Sequence, residues 1–312
     1  MLIVSFLCAL FVQINEASYS SYGSHLISSH KGLLLQNPAP WNLRSVAGSK
    51  AFFSDQPFEP EATNNRVPVF ILDNGIPESH PEFLGKVKTR VVVAKDEASC
   101  PYTHRHGCYV ASLIGGAMLG ACKSVDYYDI QVCGCDEKCS YKNLVAGLAE
   151  TISIVTELRA SNQLPLDRIA IVNISISRDN DLDFSAADIL IKMLKDLNVL
   201  VIVAAGNEND DACKHFPASL NDVLAVGATT KQGLRAPFSN YGRCVEVWAP
   251  GADILVADVL SPLGYCSMQG TSLSSPFIVG LAANFASGPG PHTIDSITQK
   301  VLSRAAQYNP KE

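Results

Sequence analysis

Side chains that could together carry out nucleophilic catalysis occur at three separate places in the sequence. Asp73 ends the apolar run VFILDNGI, His106 lies in HRHGCYVASLIGG, and Ser272 lies in QGTSLSSPFIVGLAANFA. A serine hydroxyl becomes a nucleophile when a histidine removes its proton, and a carboxylate can hold that histidine in the required tautomer. Taken singly, each residue also has a structural interpretation, as a turn-forming aspartate, a helix-start or core histidine and a helix cap.

The elements that must position these residues alternate between strands and helices from residue 67 onward. Short, β-branched apolar runs predict buried parallel strands, and the longer stretches between them predict helices. The predicted strands are 67–72, 87–94, 125–132, 168–176, 199–204 and 223–226, and the predicted helices are 107–118, 142–160, 185–197 and 271–286. This order predicts an α/β fold with a mostly parallel central sheet.

Each of the three residues falls at a strand end or a helix start of the predicted fold. Asp73 follows the first strand, where Gly75 allows a sharp turn, and His106 and Ser272 stand at the amino ends of helices. In open α/β sheets, active residues collect at the carboxyl ends of strands and at the adjoining helix starts. The free N–H groups at the start of the Ser272 helix also favour a developing negative charge. The joint pattern therefore favours catalysis over three unrelated structural roles.

The order Asp, His, Ser and a series of short segments resemble the subtilase family, in particular its proteinase K-like branch. The segments are, in chain order, LDNGIPESHPEF, HGCYVASLIGG, NISIS, VAAGNEND, FPAS, AVGATT, FSNYG, WAPGADI and GTSLSSPFIVGLAA. The resemblance runs from residue 38 to the end of the chain. It implies a subtilisin-like three-layer α/β/α fold and a serine endopeptidase that hydrolyses protein or peptide substrates.

The same resemblance implies a role for each matching residue. Ser272 would attack the peptide carbonyl, His106 would accept and then return a proton, and Asp73 would orient the imidazole. Asn207, in VAAGNEND, would stabilise the oxyanion together with the backbone N–H of Ser272. Taken alone, the sequence around Asn207 fits a Gly-Asn turn equally well.

Substrate binding in this family pairs the enzyme backbone with an extended peptide. Ser175, Ile176 and Ser177 resemble one wall of the first pocket, although Ser177 stands where the family usually has glycine. The opposite wall, commonly Gly-Ser-Gly, falls on the Glu-Lys-Cys segment 137–139, which includes Lys138. These differences leave the cleavage preference open.

Further differences from the family lie close to the three chemically active residues. Asn74 follows Asp73 where serine or threonine is usual, and residues 103–105 replace a glycine-rich approach to the histidine. Cys108 replaces the threonine of the His-Gly-Thr motif. We expect Cys108 to be a small buried thiol, and the alternative is a thiol whose modification blocks the site.

Ten cysteines in 312 residues favour an oxidising compartment. Cys133, Cys135 and Cys139 form a C-x-C-x3-C cluster. A disulfide or plain thiols are favoured there over zinc, because the sequence offers no histidine ligands nearby.

The family resemblance also implies two disulfides and a calcium ligand. Cys213 with Cys244, and Cys100 with Cys135, resemble pairs that are bridged in aqualysin-like relatives. The cysteines left over are Cys108, Cys122, Cys133, Cys139 and Cys266, at least one of them free. Glu246 lies where the family places a calcium carboxylate, and a surface glutamate is the alternative. No cofactor is expected for the chemistry itself.

Residues 1–14 (MLIVSFLCALFVQI) predict a signal peptide, because this apolar stretch is too short to span a bilayer and small residues follow it. A buried N-terminal helix or strand is the alternative. The predicted organisation is a signal peptide at 1–20, a linker or propeptide remnant at 21–37 and a catalytic domain at 38–312. We therefore expect a secreted protein, and we expect it to be a monomer.

Composition narrows the classes of partner. With 17% charged and 47% hydrophobic residues, the chain has the composition of a protein with a large buried core. A net charge of −6 without a run of Lys and Arg argues against nucleic acid as a partner. No other window reaches about 18 uninterrupted apolar residues, so a membrane span is not expected.

Two other functions stay open at this point. A catalytically silent subtilase-like domain could bind a peptide or protein in the same groove. A lipase or esterase is less favoured, because the chain lacks a G-x-S-x-G motif and the order of the three residues differs from that fold.

Overall fold

The structure is a computed structural model that describes residues 65–94, 105–134, 138–179, 183–260, 264–306 and 309–310, and the backbone of 28–30 and 33–35. The two short strands near the amino terminus, β1 (Ser28–His30) and β2 (Leu33–Leu35), pair antiparallel. The predicted signal peptide at 1–20 and the rest of the segment 21–37 lie outside the described residues.

The remaining elements alternate between strands and helices along the chain. The further strands are β3 (Val67–Asp73), β4 (Val87–Val92), β5 (Val125–Gln131), β6 (Ala170–Ile174), β7 (Arg178–Asp179), β8 (Val199–Ala204), β9 (His215–Phe216), β10 (Leu224–Thr229), β11 (Val247–Pro250), β12 (Ile254–Ala257) and β13 (Tyr265–Met268). The α-helices are α1 (Arg105–Gly115), α2 (Tyr141–Ala160), α3 (Ser185–Asp196), α4 (Thr271–Ala286) and α5 (Ile294–Ala305). Short 3-10 turns lie at Pro81–Phe83 and Ala212–Lys214.

Seven strands form one parallel sheet in the order β11-β10-β8-β6-β3-β5-β4. Strand β3 pairs with β6 on one side, where Val69 lies opposite Ile171, and with β5 on the other, where Asp73 lies opposite Gln131. Because all neighbours are parallel, their carboxyl ends meet at one edge of the sheet. Asp73 therefore lies between the ends of β6 and β5.

Helices cover both faces of this sheet. Val69 and Ile71 of β3 belong to the apolar core shared with α1, α4 and α5, whereas Phe70 and Leu72 belong to the core shared with α2 and α3. Alternate side chains of a strand point to opposite faces, so one strand contributes to both cores. This is the predicted three-layer α/β/α arrangement, and the fold class is confirmed.

The predicted elements agree with the structure in most of the sheet and its helices. The strand at 199–204 and the helix at 271–286 have the predicted bounds. The helix predicted to continue to residue 118 ends at Gly115, because the buried Glu82 carboxylate accepts the N–H groups of Met118 and Leu119. Helix α5 and strands β11 to β13 have no counterpart among the predicted elements.

Helix α4 runs through the core and is buried along nearly its whole length. A Cβ on Gly280 would stand 2.7 Å from the carbonyl oxygen of Ile114, in α1, and 2.7 Å from Cβ of Ala121. Glycine therefore allows the close approach of α4 to α1, which carry Ser272 and His106 respectively. Among the described residues no helix, α4 included, is both long and apolar enough to cross a membrane.

Gly280→Ala is expected to lower the free energy of unfolding by about 1–3 kcal/mol, because the added methyl group overpacks the contact between α4 and α1. Urea unfolding followed by circular dichroism measures the change. Glu150→Ala, at an exposed position of α2, is the control and should change stability by less than about 0.5 kcal/mol. Equal, small effects of both substitutions would show that this contact has room for a methyl group.

Candidate active site

A buried carboxylate and a partly exposed imidazole form the first part of the site. Asp73, the last residue of β3, is 1% exposed, and both of its carboxylate oxygens lie 2.9 Å from Nδ1 of His106. One of these oxygens also accepts the N–H of Asn74 at 2.8 Å. Because a carboxylate oxygen accepts hydrogen bonds, Nδ1 is the donor in this contact, which leaves Nε2 available as an acceptor.

The turn after Asp73 holds the helix that carries His106. Oδ1 of Asn74 accepts the N–H of Gly107 at 2.8 Å, which satisfies one of the free N–H groups at the start of α1. Gly75 has a φ of 113°, and its carbonyl oxygen lies only 2.1 Å from where a Cβ on Gly107 would be. Asn74, a difference from the family in sequence, thus ties α1 to the turn, and glycine at 107 permits their close approach.

Ser272 is the second residue of α4, and its carbonyl oxygen cannot receive the usual helical hydrogen bond. The residue four positions later is Pro276, which has no N–H to donate. Instead, Oγ of Ser175, directly after β6, donates to the carbonyl oxygen of Ser272 at 3.0 Å. The first turn of α4 is thereby fastened to the central sheet.

Ser175 belongs to a network of three buried polar side chains. Nδ2 of Asn173 donates to Oγ of Ser175 at 3.0 Å, and Oδ1 of Asn173 accepts from Oγ of Ser275 at 3.2 Å. The two serine hydroxyls are 2.9 Å apart. The Ser175 hydroxyl is therefore engaged inside the protein, and a substrate contact of this residue would use its backbone.

Asn207 lies at an exposed position after β8, with its amide fixed from one side. Its Oδ1 accepts the N–H of Thr271 at 2.8 Å and the hydroxyl of Thr271 at 3.0 Å, and that hydroxyl accepts the N–H of Gly206 at 3.1 Å. A Cβ on Gly270 would stand 3.1 Å from Oγ of Ser272 and 3.7 Å from Nδ2 of Asn207. The Ser272 hydroxyl and the Asn207 amide N–H₂ therefore lie beside the same position, next to Gly270.

Thr271 was not among the residues that the sequence singled out. It orients Asn207 through both its N–H and its hydroxyl. The only sequence signal for it is its place in the GTS segment, directly before Ser272. As a lone threonine at a helix start it would be taken for a capping residue.

The two predicted walls of the substrate groove follow the strands on either side of β3. Ser175, Ile176 and Ser177 come after β6, and Lys138 lies in the segment after β5. Lys138 is exposed, whereas Ile176 and Ser177 are half-buried. Oγ of Ser177 lies 2.7 Å from where a Cβ on Gly206 would be, beside the segment after β8. Substrate contact at these residues stays a prediction.

The described part of the chain contains two disulfides. Cys213–Cys244, whose Cα atoms are 5.3 Å apart, is the predicted pair. Cys133–Cys139 joins two of the three clustered cysteines, for which the sequence left disulfide and thiol open. The other predicted pair, Cys100 with Cys135, lies outside the described residues.

Three cysteines in the described part of the chain form no disulfide, and all three are buried: Cys108, Cys122 and Cys266. Sγ of Cys108 donates to the carbonyl oxygen of Ala257 at 3.2 Å. Burial raises the pKa of the Cys108 thiol well above its usual value. Since the thiolate is the reactive form, Cys108 packs α1 as an inert thiol.

Glu246, the predicted calcium ligand, is an exposed residue directly before β11. Across the described ranges no group of three or more His, Cys, Asp or Glu side chains is placed to hold a metal ion. Side chains alone therefore do not form a ligand set around Glu246 in this part of the protein. Calcium binding stays a prediction based on the family resemblance.

The sequence matches the model of one protein family and is similar to a set of known proteases. The model of the subtilase family matches residues 64–310. An extracellular serine proteinase of Thermus sp. (strain Rt41A) is 30% identical over 288 residues, covering 90% of this chain and 67% of that protein. The cuticle-degrading protease of Metarhizium anisopliae is 30% identical, over 88% of this chain and 68% of that protein. Proteinase R of Parengyodontium album is 30% identical, over 80% of this chain and 60% of that protein. The chain thus spans 60% to 68% of the length of these relatives.

Comparison with solved structures supports the same fold. The crystal structure of a cold adapted subtilisin-like serine proteinase matches with a TM-score of 0.73 at 26% identity. The match covers 85% of this chain and 91% of the other. The three-layer arrangement predicted from the segments of the sequence is therefore confirmed.

Ser175→Ala is expected to lower the free energy of unfolding by about 1–3 kcal/mol, because it leaves the carbonyl oxygen of Ser272 without its donor. Urea unfolding measures the loss. Ser161→Ala is the matched control: Oγ of Ser161 also donates to a helix carbonyl, that of Glu157, at 2.9 Å, but at an exposed position. This control should change stability by less than about 0.5 kcal/mol.

A second substitution tests the reason for the loss. Pro276→Ala restores an N–H four residues after Ser272, so it should be more favourable in the Ser175→Ala background than in the wild type, by about 1 kcal/mol. The same effect of Pro276→Ala in both backgrounds would contradict the idea that residues 175 and 276 serve one carbonyl group.

Proposed function

This chain belongs to the subtilase family of serine-type peptidases, and on that basis we propose that it is an endopeptidase with Ser272 as nucleophile, His106 as general base and Asp73 as its orienting carboxylate. The observation that carries the proposal is the contact of Nδ1 of His106 with both oxygens of Asp73, at 2.9 Å. This contact holds the ring in the tautomer whose Nε2 can accept a proton. The contact between His106 and Asp73 lies at the carboxyl edge of the sheet, where the helix that carries Ser272 also begins.

The proposed reaction forms and then hydrolyses an acyl-enzyme. Oγ of Ser272 attacks the carbonyl carbon of the scissile peptide, and Nε2 of His106 takes the hydroxyl proton. The imidazolium then gives this proton to the leaving amine as the C–N bond breaks. A water molecule repeats the sequence on the ester and returns free Ser272. Asp73 stays ionised throughout and stabilises the imidazolium.

Asn207 and the start of α4 are the proposed oxyanion-stabilising groups. Nδ2 of Asn207 and the N–H of Ser272 would donate to the oxygen that becomes negative in the tetrahedral intermediate. Thr271 fixes the amide of Asn207 before any substrate binds. Such a preset donor needs no reorganisation when the charge develops, which is why it favours the transition state over the substrate.

Protein or peptide substrates are proposed to bind as an extended strand between the segments after β6 and β5. Ser175 to Ser177 would supply one edge and Lys138 the other. Ser177 stands where glycine is usual, and its Oγ lies close to Gly206, in the segment after β8. We therefore propose a cleavage preference that differs from that of relatives with glycine at this position.

The proposal includes export from the cell. The apolar segment 1–14 has the pattern of a signal peptide, and the disulfides at Cys133–Cys139 and Cys213–Cys244 suit an oxidising compartment. One relative is named an extracellular serine proteinase. In this organisation 1–20 is the signal peptide and 38–312 the catalytic domain.

Labelling of the purified protein with a fluorophosphonate probe is expected to modify Ser272, because only an activated serine attacks such a probe. Gel fluorescence or intact mass measures the label. Ser272→Ala and heat-denatured wild type are the controls and should stay unlabelled. If folded wild type with reduced free thiols stayed unlabelled, the enzyme hypothesis would fail and a silent peptide-binding domain would be favoured.

Thr271→Val is expected to lower kcat for a peptide substrate by about 10-fold or more while KM changes little, because Asn207 loses one of the two groups that orient its amide. Direct removal of an oxyanion-hole donor costs about 100- to 1000-fold, which sets the upper limit. Thr271→Ser keeps the hydroxyl and should stay close to wild type. A Val variant with unchanged kcat would show that the backbone N–H of residue 271 orients Asn207 by itself.

A further inference from the structure

Arg105, the residue directly before His106, forms a two-pronged ion pair with Asp258. Nε of Arg105 donates to one carboxylate oxygen at 3.0 Å and Nη2 to the other at 2.9 Å. The side chain of Asp258 is 1% exposed and that of Arg105 is 23% exposed. Parallel donation by a planar guanidinium to both oxygens restricts the geometry of a contact more than a single charge pair does.

Asp258 is held from a second direction. It follows β12 directly, and the N–H of Leu260 donates to one of its oxygens at 3.2 Å. Although burial by itself would raise the pKa of this carboxyl group, the hydrogen bonds of Arg105 and Leu260 and the positive charge of Arg105 keep it below its usual value. Asp258 is therefore an anion that faces the first turn of α1.

The ion pair is the first of three contacts between α1 and the hairpin formed by β12 and β13. Further along the helix, Sγ of Cys108 donates to the carbonyl oxygen of Ala257 at 3.2 Å, and Oγ of Ser112 accepts the N–H of Ala257 at 3.2 Å. Positions 105, 108 and 112 lie on one face of a helix. One side of α1 is thus attached to this hairpin from its first turn onward.

The same hairpin leads into the helix that carries Ser272. Strand β12 pairs with β13 from Ile254 opposite Met268 to Ala257 opposite Tyr265. Only two residues separate the end of β13 from α4. The hairpin therefore connects the helix that carries His106 with the start of the helix that carries Ser272.

We infer that Arg105 and Asp258 are positioning residues, whose ion pair holds the first turn of α1 against the hairpin and keeps His106 aligned with Ser272. The inference rests on the proposed function of His106 and Ser272. A buried ion pair is weak evidence for added stability, since apolar residues often replace one at no cost. What the two-pronged contact adds is a defined position for the residue next to it.

The charges of the pair provide a signature that shows whether Arg105 and Asp258 act on the His106 ring. Asp73 contacts the imidazole of His106 directly, and the ring centroids of His106 and Tyr109 are 6.3 Å apart. Arg105 and Asp258 add opposite charges beside the first turn of α1. Removing Arg105 leaves an anion, which favours protonated imidazole, and removing the Asp258 charge leaves a cation, which disfavours it. The two substitutions should therefore shift the titration of His106 in opposite directions.

The experiment follows the ring C–H signals of His106 by NMR through a pH titration, in the full chain carrying Ser272→Ala to prevent autolysis. Arg105→Met should raise the midpoint by several tenths of a pH unit and Asp258→Asn should lower it by a similar amount. The double variant should titrate close to the parent. These measurements need no peptidase activity.

Kinetics in the chain with Ser272 intact test the alignment itself. Arg105→Met should lower kcat for a peptide substrate about 10- to 100-fold with a change in KM below about 3-fold, since small displacements of a catalytic group cost this much. Arg105→Lys keeps the charge but loses the planar fork. It should therefore lower kcat while leaving the midpoint of His106 near that of the parent.

Arg159→Met is the matched control for loss of a partly buried arginine. Arg159, in α2, donates to the carbonyl oxygens of Arg168 and Leu197, at the amino ends of β6 and β8 and so at the opposite edge of the sheet. It should lower the stability of the fold without moving the titration of His106 or changing kcat.

Midpoints that move in opposite directions would support the inference, even if wild type hydrolysed no peptide and the proposed function failed. Midpoints that do not move, or that move together in all variants including Arg159→Met, would overturn it whether or not wild type hydrolyses peptides. An unchanged kcat in folded Arg105→Met, measured in an active parent, would overturn it as well.

Discussion

The first turn of α4 lacks one of its own helical hydrogen bonds, and groups outside the helix hold this turn in place. Pro276 removes the hydrogen bond that the carbonyl of Ser272 would otherwise receive, and Ser175 replaces that bond from the end of β6. One residue earlier, Thr271 binds Asn207 with both its N–H and its hydroxyl. The contacts that complete the helix start are therefore the same ones that set the serine hydroxyl and the asparagine amide around one small space, before any substrate is present.

The histidine side of the site is built by a different set of contacts on the same edge of the sheet. Asp73 fixes the ring of His106, and Asn74 fixes the helix behind it through the N–H of Gly107. Two features relate this helix to α4: the close approach that Gly280 permits, and the hairpin that binds α1 and continues into the Ser272 helix. Since each of these is a packing or backbone contact, the relative position of the His106 and Ser272 side chains depends on the core as much as on these two residues themselves.

The residues proposed to line the substrate groove differ more from those usual in the family than the residues proposed for catalysis do. The side chains proposed for catalysis match the family, whereas Ser177 and Lys138 stand where glycine and small residues are usual. A disulfide, Cys133–Cys139, closes the segment in which Lys138 lies. Acyl transfer to a serine requires a defined arrangement of nucleophile, base and oxyanion donors. Peptide side chains differ, so the residues that contact them can vary while such a reaction is kept.

The sequence by itself determined the α/β class, the main strands and helices, and the positions of Asp73, His106 and Ser272 on them, because these depend on local patterns. Strands buried on both faces are continuous apolar runs, and Asp73 ends such a strand, whereas His106 and Ser272 lie at the amino ends of helices. Only the tertiary structure decided the partners: Ser175 with Ser272 across 97 positions, Arg105 with Asp258 across 153, and Cys133 with Cys139 among three clustered cysteines. The first two contacts depend on the strand order and on how closely helices pack, and no local pattern specifies which distant groups become neighbours. The third joins cysteines six positions apart, but the C-x-C-x3-C spacing by itself does not specify which of them pair.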